Sequence, residues 1–454
     1  MTQVAVVGGG ITGLSAALAL LDNDAGARDR TKVVVFEAQE RVGGKIRTTP
    51  FAGLPAVDEG ADAFLARVPH ATDLARQLGL DARLTSPAAA SAAVWWDGLQ
   101  RIPDGLLLGM PTSSWSLARS RLLSMRGKLR AATEPLRPRT ADAGDSLGRY
   151  VRSRFGREVH ERLVDPLIGS IYATDTDRFS LEAVPQIAEL AARSRSVMLA
   201  ARDRPTPPSG PVFYAPLGGV GELVDTAAAR IVALGGEIRT GAPCTTLEAD
   251  ARGWRIDGLA ADAVILACPA AQAARLLRPD SEGARGLAAI EYADVVLITM
   301  AVPAPDWPAR LAGLSGYLVP KPVQGLVTAV SFGSQKWAHW RTEESVILRV
   351  SLGRDGLPVL HLDNGDLVAA ALAELAQHLD VELQPTASRV TRWQRAFPQY
   401  RPHHHDRVAA LTSSLPETIT LAGASYHGLG IPACIRSGRE AADATARRLR
   451  AARE

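Results

Sequence analysis

The sequence predicts an α/β (α+β) fold built on a Rossmann-like nucleotide-binding domain, and three observations predict it. A GxGxxG motif stands between a β-branched run and a helical pattern at the N-terminus. A second glycine-bearing strand–loop–helix pattern closes the chain. The 454 residues are 46% apolar and 22% charged, an ordinary balance for a packed protein with ample core, which excludes a disordered or fibrous chain.

Gln3 to Val7 reads as a strand with β-branched Val4, Val6 and Val7; Leu14, Leu18 and Leu21 mark one helix face; Lys32 to Phe36 reads as a second strand ending at Glu37. Between the first strand and the helix, Gly8 permits a tight turn, Gly10 lets backbone approach a pyrophosphate, and Gly13 lets helix pack on strand. The helix N-terminus then offers free N–H groups and partial positive charge to phosphate. Glu37 is placed to accept hydrogen bonds from a ribose hydroxyl, and an acid there disfavours a 2′-phosphate. Beyond it, Arg41, Gly43, Gly44, Lys45 and Arg47 make a second glycine turn flanked by cations. A nicotinamide dehydrogenase has no need of this loop, whereas an extended cofactor with an isoalloxazine end does.

At the other end, Thr418 to Leu421 reads as a short strand running to Gly423, and Ile435 to Leu449 as an Ala- and Arg-rich helix entered near Pro432. Gly428, Gly430, Ala433 and Gly438 would admit a flat ring close to backbone, and the helix start would stabilise negative charge on a reduced flavin. The plainer alternative is a terminal amphipathic helix docked on a sheet.

Net charge is 51 − 48 = +3, too balanced to imply nucleic-acid binding. Cys244, Cys268 and Cys434 are far apart and form no CxxC, so neither a disulfide scaffold nor a structural zinc site is expected. Without a signal-like start or an 18-residue apolar run, the expectation is a cytoplasmic protein that does not span a membrane. Residues 115–139 carry Arg119, Arg121, Arg126, Lys128, Arg130, Arg137 and Arg139 against the single acid Glu134, interleaved with Leu117, Leu122, Leu123, Met125 and Leu129. This block reads either as a solvated face or as a peripheral membrane or partner surface. Residues 201–211, rich in Pro and Arg, read as a linker. His403 to His405 adjoin in what reads as extended chain, where neighbours point to opposite sides and cannot converge on one ion, so no metal is expected. Trp337, Trp340 and Trp393 read as core or pocket wall.

GxGxxG followed by E-A-Q-E-R-V-G-G-K at 37–45 resembles the flavin amine oxidase and protoporphyrinogen oxidase superfamily. G-G-V-G-E-L-V at 218–224, L-G-G-E-I at 234–238 and A-D-A-V-I-L-A-C-P at 261–269 resemble its central return into the flavin domain, and L-A-G-A-S-Y-H-G-L-G-I-P at 421–432 its C-terminal flavin motif. P-L-I-G-S-I-Y-A at 166–173, S-F-G-S-Q-K-W at 331–337 and W-Q-R-A-F-P-Q-Y at 393–400 are similar to the bacterial porphyrinogen oxidases within it. Where many relatives have an acid after the A-G pair, this chain has Ala424 and Ser425.

The resemblance implies a discontinuous FAD-binding domain (1–75, 212–290 and 390–454), a sheet-based substrate domain (76–105 and 291–389) and a helical insertion (106–211). It implies non-covalent FAD held by Gly8, Gly9, Gly10, Ile11, Thr12, Gly13, Glu37, Ala38, Lys45, Gly60, Ala61, Asp62, Ala63, the backbone at Cys244, Trp393, Gly430, Ile431 and Pro432. Asp62, Arg67, Ile168, Ile171, Lys336 and His404 are the substrate-pocket candidates. Asp62 would stabilise positive charge on pyrrole nitrogens, and Arg67 and Lys336 would pair with propionates. The implied reaction is a six-electron, oxygen-dependent oxidation of a porphyrinogen in haem biosynthesis: three rounds of hydride transfer from a methylene bridge to flavin N5, each yielding hydrogen peroxide. No protein acid–base dyad is then required. The Arg- and Ala-rich composition resembles actinobacterial members, which favours coproporphyrinogen III over protoporphyrinogen IX. An amine or carotenoid oxidase of the same fold, and a nucleotide-binding regulatory protein, are the other readings. The implied partners are the porphyrinogen, oxygen and a ferrochelatase receiving the product.

Overall fold

The computed structural model describes residues 2–23, 31–89, 91–138, 146–202, 210–250 and 253–452. Arg139 and residues 203–209, part of the basic block and the expected linker, lie outside them. The chain forms two compact units. One comprises Met1–Ser86, Gly210–Glu291 and His405–Glu454, the other Pro87–Ser209 and Tyr292–His404.

The first unit is centred on a five-stranded sheet in the order Glu237–Arg239, Lys32–Phe36, Gln3–Val7, Ala263–Leu266, Ile419–Leu421, with every pairing parallel. Val4 sits between Val33 and Ala263, and Val7 between Phe36 and Leu266. Val4 to Val7, Val33 to Phe36 and Ala263 to Leu266 are all buried, because a parallel sheet covered on both faces leaves no solvated side. Helix Ile11–Asn23 packs against terminal helix Ile431–Ala451. Their approach depends on Gly438, where a Cβ would lie 2.2 Å from the Thr12 carbonyl oxygen. The terminal helix begins four residues before the expected Ile435. Pro432 sits in its first turn, where the missing N–H has no intrahelical partner to lose, so proline starts this helix instead of preceding it.

Side chains tie the separated segments of this unit. Thr48 donates to Asp58 Oδ1 at 2.5 Å, the same Oδ1 accepts from Val220 N–H at 3.0 Å, and Thr48 Oγ1 accepts from Gly221 N–H at 2.9 Å. Buried Asp58 thus satisfies the Val220 N–H, and Thr48 that of Gly221, at the start of helix Gly221–Ala233, and Gly219, at φ +79°, makes the turn into it.

The second unit contains a seven-stranded sheet in the order Ala387–Pro398, Tyr292–Pro303, Ser345–Leu352, Val327–Phe332, Leu314–Leu318, Ser91–Trp95, Leu99–Arg101. Its pairings are antiparallel apart from Leu314–Leu318 with Ser91–Trp95. One face packs Ile298, Met300, Leu348 and Val350 against Leu367, Ala371 and Leu375 of helix Asn364–Leu379. A helical cluster, including Met125–Ala132, Leu147–Phe155, Asp165–Tyr172 and Pro185–Arg193, has its own core around Val151, Phe155, Ile168 and Ile187.

The basic block is held from within by an ion pair. Arg154 and Glu134 are fully buried; Arg154 donates from Nε at 3.0 Å and Nη2 at 2.6 Å to Glu134 Oε1. Glu134 also accepts from Ser196 Oγ at 2.6 Å and from the Val197 and Met198 N–H groups at 3.0 and 3.3 Å. The only acid of the block is therefore internal. Its apolar residues divide: Leu117, Leu122 and Leu123 are buried, whereas Met125 and Leu129 are exposed. Ser124 stops the chain between short helices Ser114–Arg119 and Met125–Ala132, its hydroxyl capping Gly127 N–H at 3.1 Å.

Candidate functional site

In the first unit, the strand Gln3–Val7 turns at Gly8, whose φ is +112°; a Cβ there would lie 2.8 Å from the Ala267 carbonyl oxygen. At Gly13 a Cβ would fall 1.9 Å from the Gly8 oxygen. Gly10 differs, since a Cβ built on it meets nothing within 4 Å. The first and third glycines are demanded by the protein's own backbone. The second leaves a hollow before the N-terminus of helix Ile11–Asn23, and that hollow fits a diphosphate.

The second glycine turn lies against the first. Gly43 N–H donates to the Gly9 carbonyl at 2.8 Å, Gly10 and Gly43 form a parallel bridge, and Gly44, at φ +57°, would bring a Cβ 3.6 Å from the Gly10 Cα. Arg41 holds this turn by donating to the carbonyls of Val42, Gly44 and Ile46 at 2.9, 2.7 and 3.0 Å. Burial, and then the nearby Arg47, lower its pKa. Glu37 follows the second strand and is buried. Its Oε2 accepts from Gly9 N–H at 2.8 Å and its Oε1 from Gln39 N–H at 2.9 Å, so this acid also fixes the glycine loop.

Lys45 is open to solvent at its surface, yet surrounding protein desolvates its ammonium and lowers its pKa to about 8, with Cys434 opposing. The two facts together describe a side chain lining a recess, which solvation reaches and from which part of that desolvation is relieved. Cys268 is similar: half-buried, with its thiol pushed up to about 12 by desolvation. Cys244 also rises to about 12, through desolvation and then the charge of Asp257. These thiols stay protonated at neutral pH and are poor nucleophiles.

Gly60 to Ala63 form a bend and coil after strand Leu54–Asp58; Ala61 is exposed and Gly60, Asp62 and Ala63 are partly so. Ala38 is exposed. Gly423 N–H donates to Ser437 Oγ at 2.9 Å. Gly430 caps the terminal helix, is exposed, and has room beside it, the nearest atom to an added Cβ being Pro432 Cδ at 3.9 Å. Ile431 and Pro432 are buried behind it. Arg67 is exposed in the turn after strand Phe64–Leu65.

The remaining candidates belong to the second unit. Trp393 lies on strand Ala387–Pro398. Helix Asp165–Tyr172 carries Ile168, fully buried in the helical core, and Ile171, 45% exposed, so of the two only Ile171 presents itself for contact. Lys336 ends helix Gly333–Lys336 with its ammonium 5.3 Å from the Trp337 ring centroid. His404 is buried and stacked on Tyr400 with centroids 4.3 Å apart. The expected extended run of histidines is corrected here. His403 is in a turn at φ +62° and His404 opens helix His404–Ser413, because Pro402 precedes the turn and ends the extended chain. Among the described residues no cluster of three or more His, Cys, Asp or Glu is arranged to hold a metal ion.

Sequence reasoning missed the support beneath helix Asp165–Tyr172. Arg354 donates to both Asp165 oxygens, at 3.0 and 2.9 Å, and Thr176 Oγ1 donates to Oδ1 at 2.6 Å. Burial raises the Asp165 pKa, but Arg354 outweighs it and holds the carboxyl below its ordinary value. His160 Nε2 lies 2.8 Å from Thr176 Oγ1, and burial lowers its pKa. An acid before Pro166 was visible; its partner 189 residues away was not. An open cleft of about 330 Å³ lined by Thr72, Arg76, Asp81, Leu84 and Tyr214 includes no glycine-loop residue.

Residues 11–446 match the family of flavin containing amine oxidoreductases. The chain is 34% identical to the coproporphyrinogen III oxidase of Mycobacterium tuberculosis (strain ATCC 25618 / H37Rv), over 95% of this chain and 94% of that protein. It is 29% identical to the coproporphyrinogen III oxidase of Bacillus subtilis (strain 168), over 97% of each. Among solved structures it resembles a protein of Exiguobacterium sp. 255-15 provisionally assigned as a protoporphyrinogen oxidase, with a TM-score of 0.85 and 28% identity over 97% of this chain and 98% of that one.

Proposed function

Because the chain belongs to the flavin-containing amine oxidoreductase family, we propose that it is an FAD-dependent oxidase converting coproporphyrinogen III to coproporphyrin III. The observation that carries this reading is near-full-length similarity to coproporphyrinogen III oxidases of several bacteria, at 27–34% identity. Bound FAD supplies a two-electron acceptor that oxygen restores, so three rounds remove six electrons and six hydrogens and give three molecules of hydrogen peroxide.

The chain's own residues bind and orient. The Gly10 hollow and the first-turn N–H groups of helix Ile11–Asn23 receive the pyrophosphate. Glu37, already fixed by Gly9, presents a carboxylate edge to a ribose. Gly430 leaves backbone accessible at the N-terminus of the terminal helix, where partial positive charge favours an electron-rich ring. Asp62 and Arg67 are assigned to substrate, Asp62 to charge developing at pyrrole nitrogen and Arg67 to a propionate. The deciding experiment compares kcat/KM for coproporphyrinogen III and protoporphyrinogen IX. A higher value for the first supports the assignment, a higher value for the second reassigns the substrate, and turnover of neither, with flavin bound, favours an amine or carotenoid oxidase.

No helix among the described residues is long and apolar enough to cross a membrane. A peripheral, charge-driven membrane contact fits the basic block, where Trp115 (65%), Met125 (69%), Leu129 (65%) and Leu136 (82%) are exposed beside the cations and the only acid is buried. Such cations gain about 1 kcal/mol each near an anionic surface, screened within about 8 Å at physiological salt. Sedimentation with phosphatidylserine vesicles should therefore occur at low salt and be lost at high salt. Absence of binding at low salt refutes the contact.

A further inference from the structure

Within the second unit, helix Asp165–Tyr172 is gripped at both ends by a single turn from a distant part of the chain. Strand Ser345–Leu352 runs into Gly353, at φ +85°, and residues 354–357 then close a tight turn in which Leu357 N–H donates to the Arg354 carbonyl at 2.9 Å. Gly356 inside it is at φ +82°, a conformation that glycine adopts freely. Arg354 donates through both Nη atoms to the two Asp165 oxygens in the first helical turn, a bidentate match, and its Nη2 also donates to the Thr174 carbonyl just past the helix end. Gly169 lies between these points and leaves the guanidinium room, since a Cβ there would fall 2.8 Å from Arg354 Nη2. The next residue of the turn holds the other end: Asp355 N–H donates to the Ala173 carbonyl at 2.9 Å. Ala173 is in the left-handed region at φ +47°, which a residue with a Cβ enters only under constraint.

The turn is itself tied down. The Asp355 carboxylate accepts from Arg401 Nη1 and Nη2 at 2.6 and 3.0 Å and from Arg178 Nη1 at 3.3 Å. Gln399 Nε2 reaches the Tyr172 and Ala173 carbonyls at 3.4 Å each, and Ala173 packs with Val295 of strand Tyr292–Pro303. The Tyr172 ring lies 4.8 Å from that of Phe179 and 6.5 Å from that of Tyr400, on which His404 stacks. Of the eight residues of the helix only Ile171 is exposed. A buried ion pair often contributes no more stability than well-packed apolar side chains of the same volume. Its place beneath a helix that presents one apolar residue is explained by the geometry it enforces.

We propose that Arg354 is a positioning residue for the macrocycle: its fork, carried on the Asp355 turn, sets the orientation of helix Asp165–Tyr172 and so the place where Ile171 meets the apolar ring. Arg354 touches no reacting atom and acts through Ile171. The inference deepens the proposed function and rests on it for the identity of the ligand. It makes a buried arginine a determinant of substrate affinity.

The test uses the flavin-loaded enzyme and equilibrium binding of coproporphyrin III, followed by porphyrin fluorescence, with flavin content and the urea midpoint measured alongside. Ile171→Ala should raise Kd about 10-fold. Arg354→Gln should raise it by a similar factor with flavin content unchanged, since the glycine recess belongs to the first unit. KM for coproporphyrinogen III should follow Kd, with kcat changed less. The double variant should bind no more weakly than Ile171→Ala alone, because both changes remove the same contact. Arg354→Lys keeps a charge opposite Asp165 but loses the fork, and should fall between wild type and Arg354→Gln; if Arg354→Gln does not fold, Arg354→Lys decides, alone and combined with Ile171→Ala. Unchanged Kd in the arginine variants, whatever the urea midpoint, marks a structural role and overturns the proposal. Additive losses in the double variant overturn it too, as does wild-type affinity in Ile171→Ala. A wild-type enzyme that binds coproporphyrin III but leaves the porphyrinogen unoxidised would overturn the proposed reaction while these comparisons still judged Arg354, and one that neither binds nor oxidises would overturn both.

Discussion

Replacing Gly10 by Val should separate cofactor binding from folding. Gly10 is not among the glycines held at positive φ, so an L-residue fits its backbone, and a Cβ there meets nothing within 4 Å. The stability of the flavin-free protein should change by no more than about 0.5 kcal/mol, as for an open surface position. The valine methyls would occupy the hollow through which the pyrophosphate reaches the helix N-terminus. Loss of two charge-assisted hydrogen bonds at about 1.5–3 kcal/mol each amounts to ~3–6 kcal/mol, or a fall in affinity of roughly 10²- to 10⁴-fold. Gly13→Val supplies the contrast: its Cβ would sit 1.9 Å from the Gly8 oxygen, so that variant should lose the fold. Flavin-fluorescence titration of the apoprotein gives the affinity and urea denaturation gives the stability. Wild-type flavin affinity in Gly10→Val would refute the assignment of the hollow, and a stability loss equal to that of Gly13→Val would refute the distinction between the two glycines.

Glu134→Gln should destabilise the second unit by about 3–5 kcal/mol, because it leaves Arg154 buried without a counter-charge; an unchanged urea midpoint would contradict this. Burial lowers the His378 pKa to about 4, so the unfolded chain takes up its proton first and stability should fall as pH drops from about 6.5 toward 4; His378→Gln should flatten that slope, and an identical pH profile in the variant would rule His378 out as the cause. Asp165, held below its ordinary value, contributes stability that is present above about pH 3.9 and lost as pH falls through its folded pKa; in Asp165→Asn that acid-side loss should be absent. Acid precipitation should leave all the yellow colour in the supernatant, since FAD is proposed to bind non-covalently, and colour on the pellet would show a covalent link. Arg67→Ala should raise KM by about 10- to 100-fold with little change in kcat, because a propionate contact is equally present in ground and transition states; small, equal changes for both porphyrinogens would make Arg67 a surface cation.

What the sequence disclosed follows from how local its causes are. The first two strands appear at Gln3–Val7 and Lys32–Phe36, as the β-branched runs indicate, because a doubly covered parallel sheet leaves a continuous apolar signature. The role of Gly13 is also local, since the backbone it must avoid is the Gly8 carbonyl in the same turn, whereas the atom crowding Gly8 is the carbonyl oxygen of Ala267, far along the chain. Pro432 misled the placement of the terminal helix because proline marks a first turn as readily as a boundary.

The second unit was harder to read because its determining contacts have no sequence signature. Arg354 and Asp165 meet across 189 residues of sequence and Arg154 and Glu134 across 20, and nothing around an arginine announces which acid is its partner. The basic block shows the consequence. Counted along the chain, Glu134 weakens its positive charge and the leucines suggest one amphipathic face; folded, Glu134 is neutralised inside and the apolar residues split between core and surface. The same holds for Arg389 and Arg349. Each sits in a strand whose alternation can be read, but their position on one face of one sheet depends on both pairing with Thr299, a matter of register between segments separated by intervening elements. Charge counted along this chain is therefore a poor guide to charge presented by a face, which strand register decides.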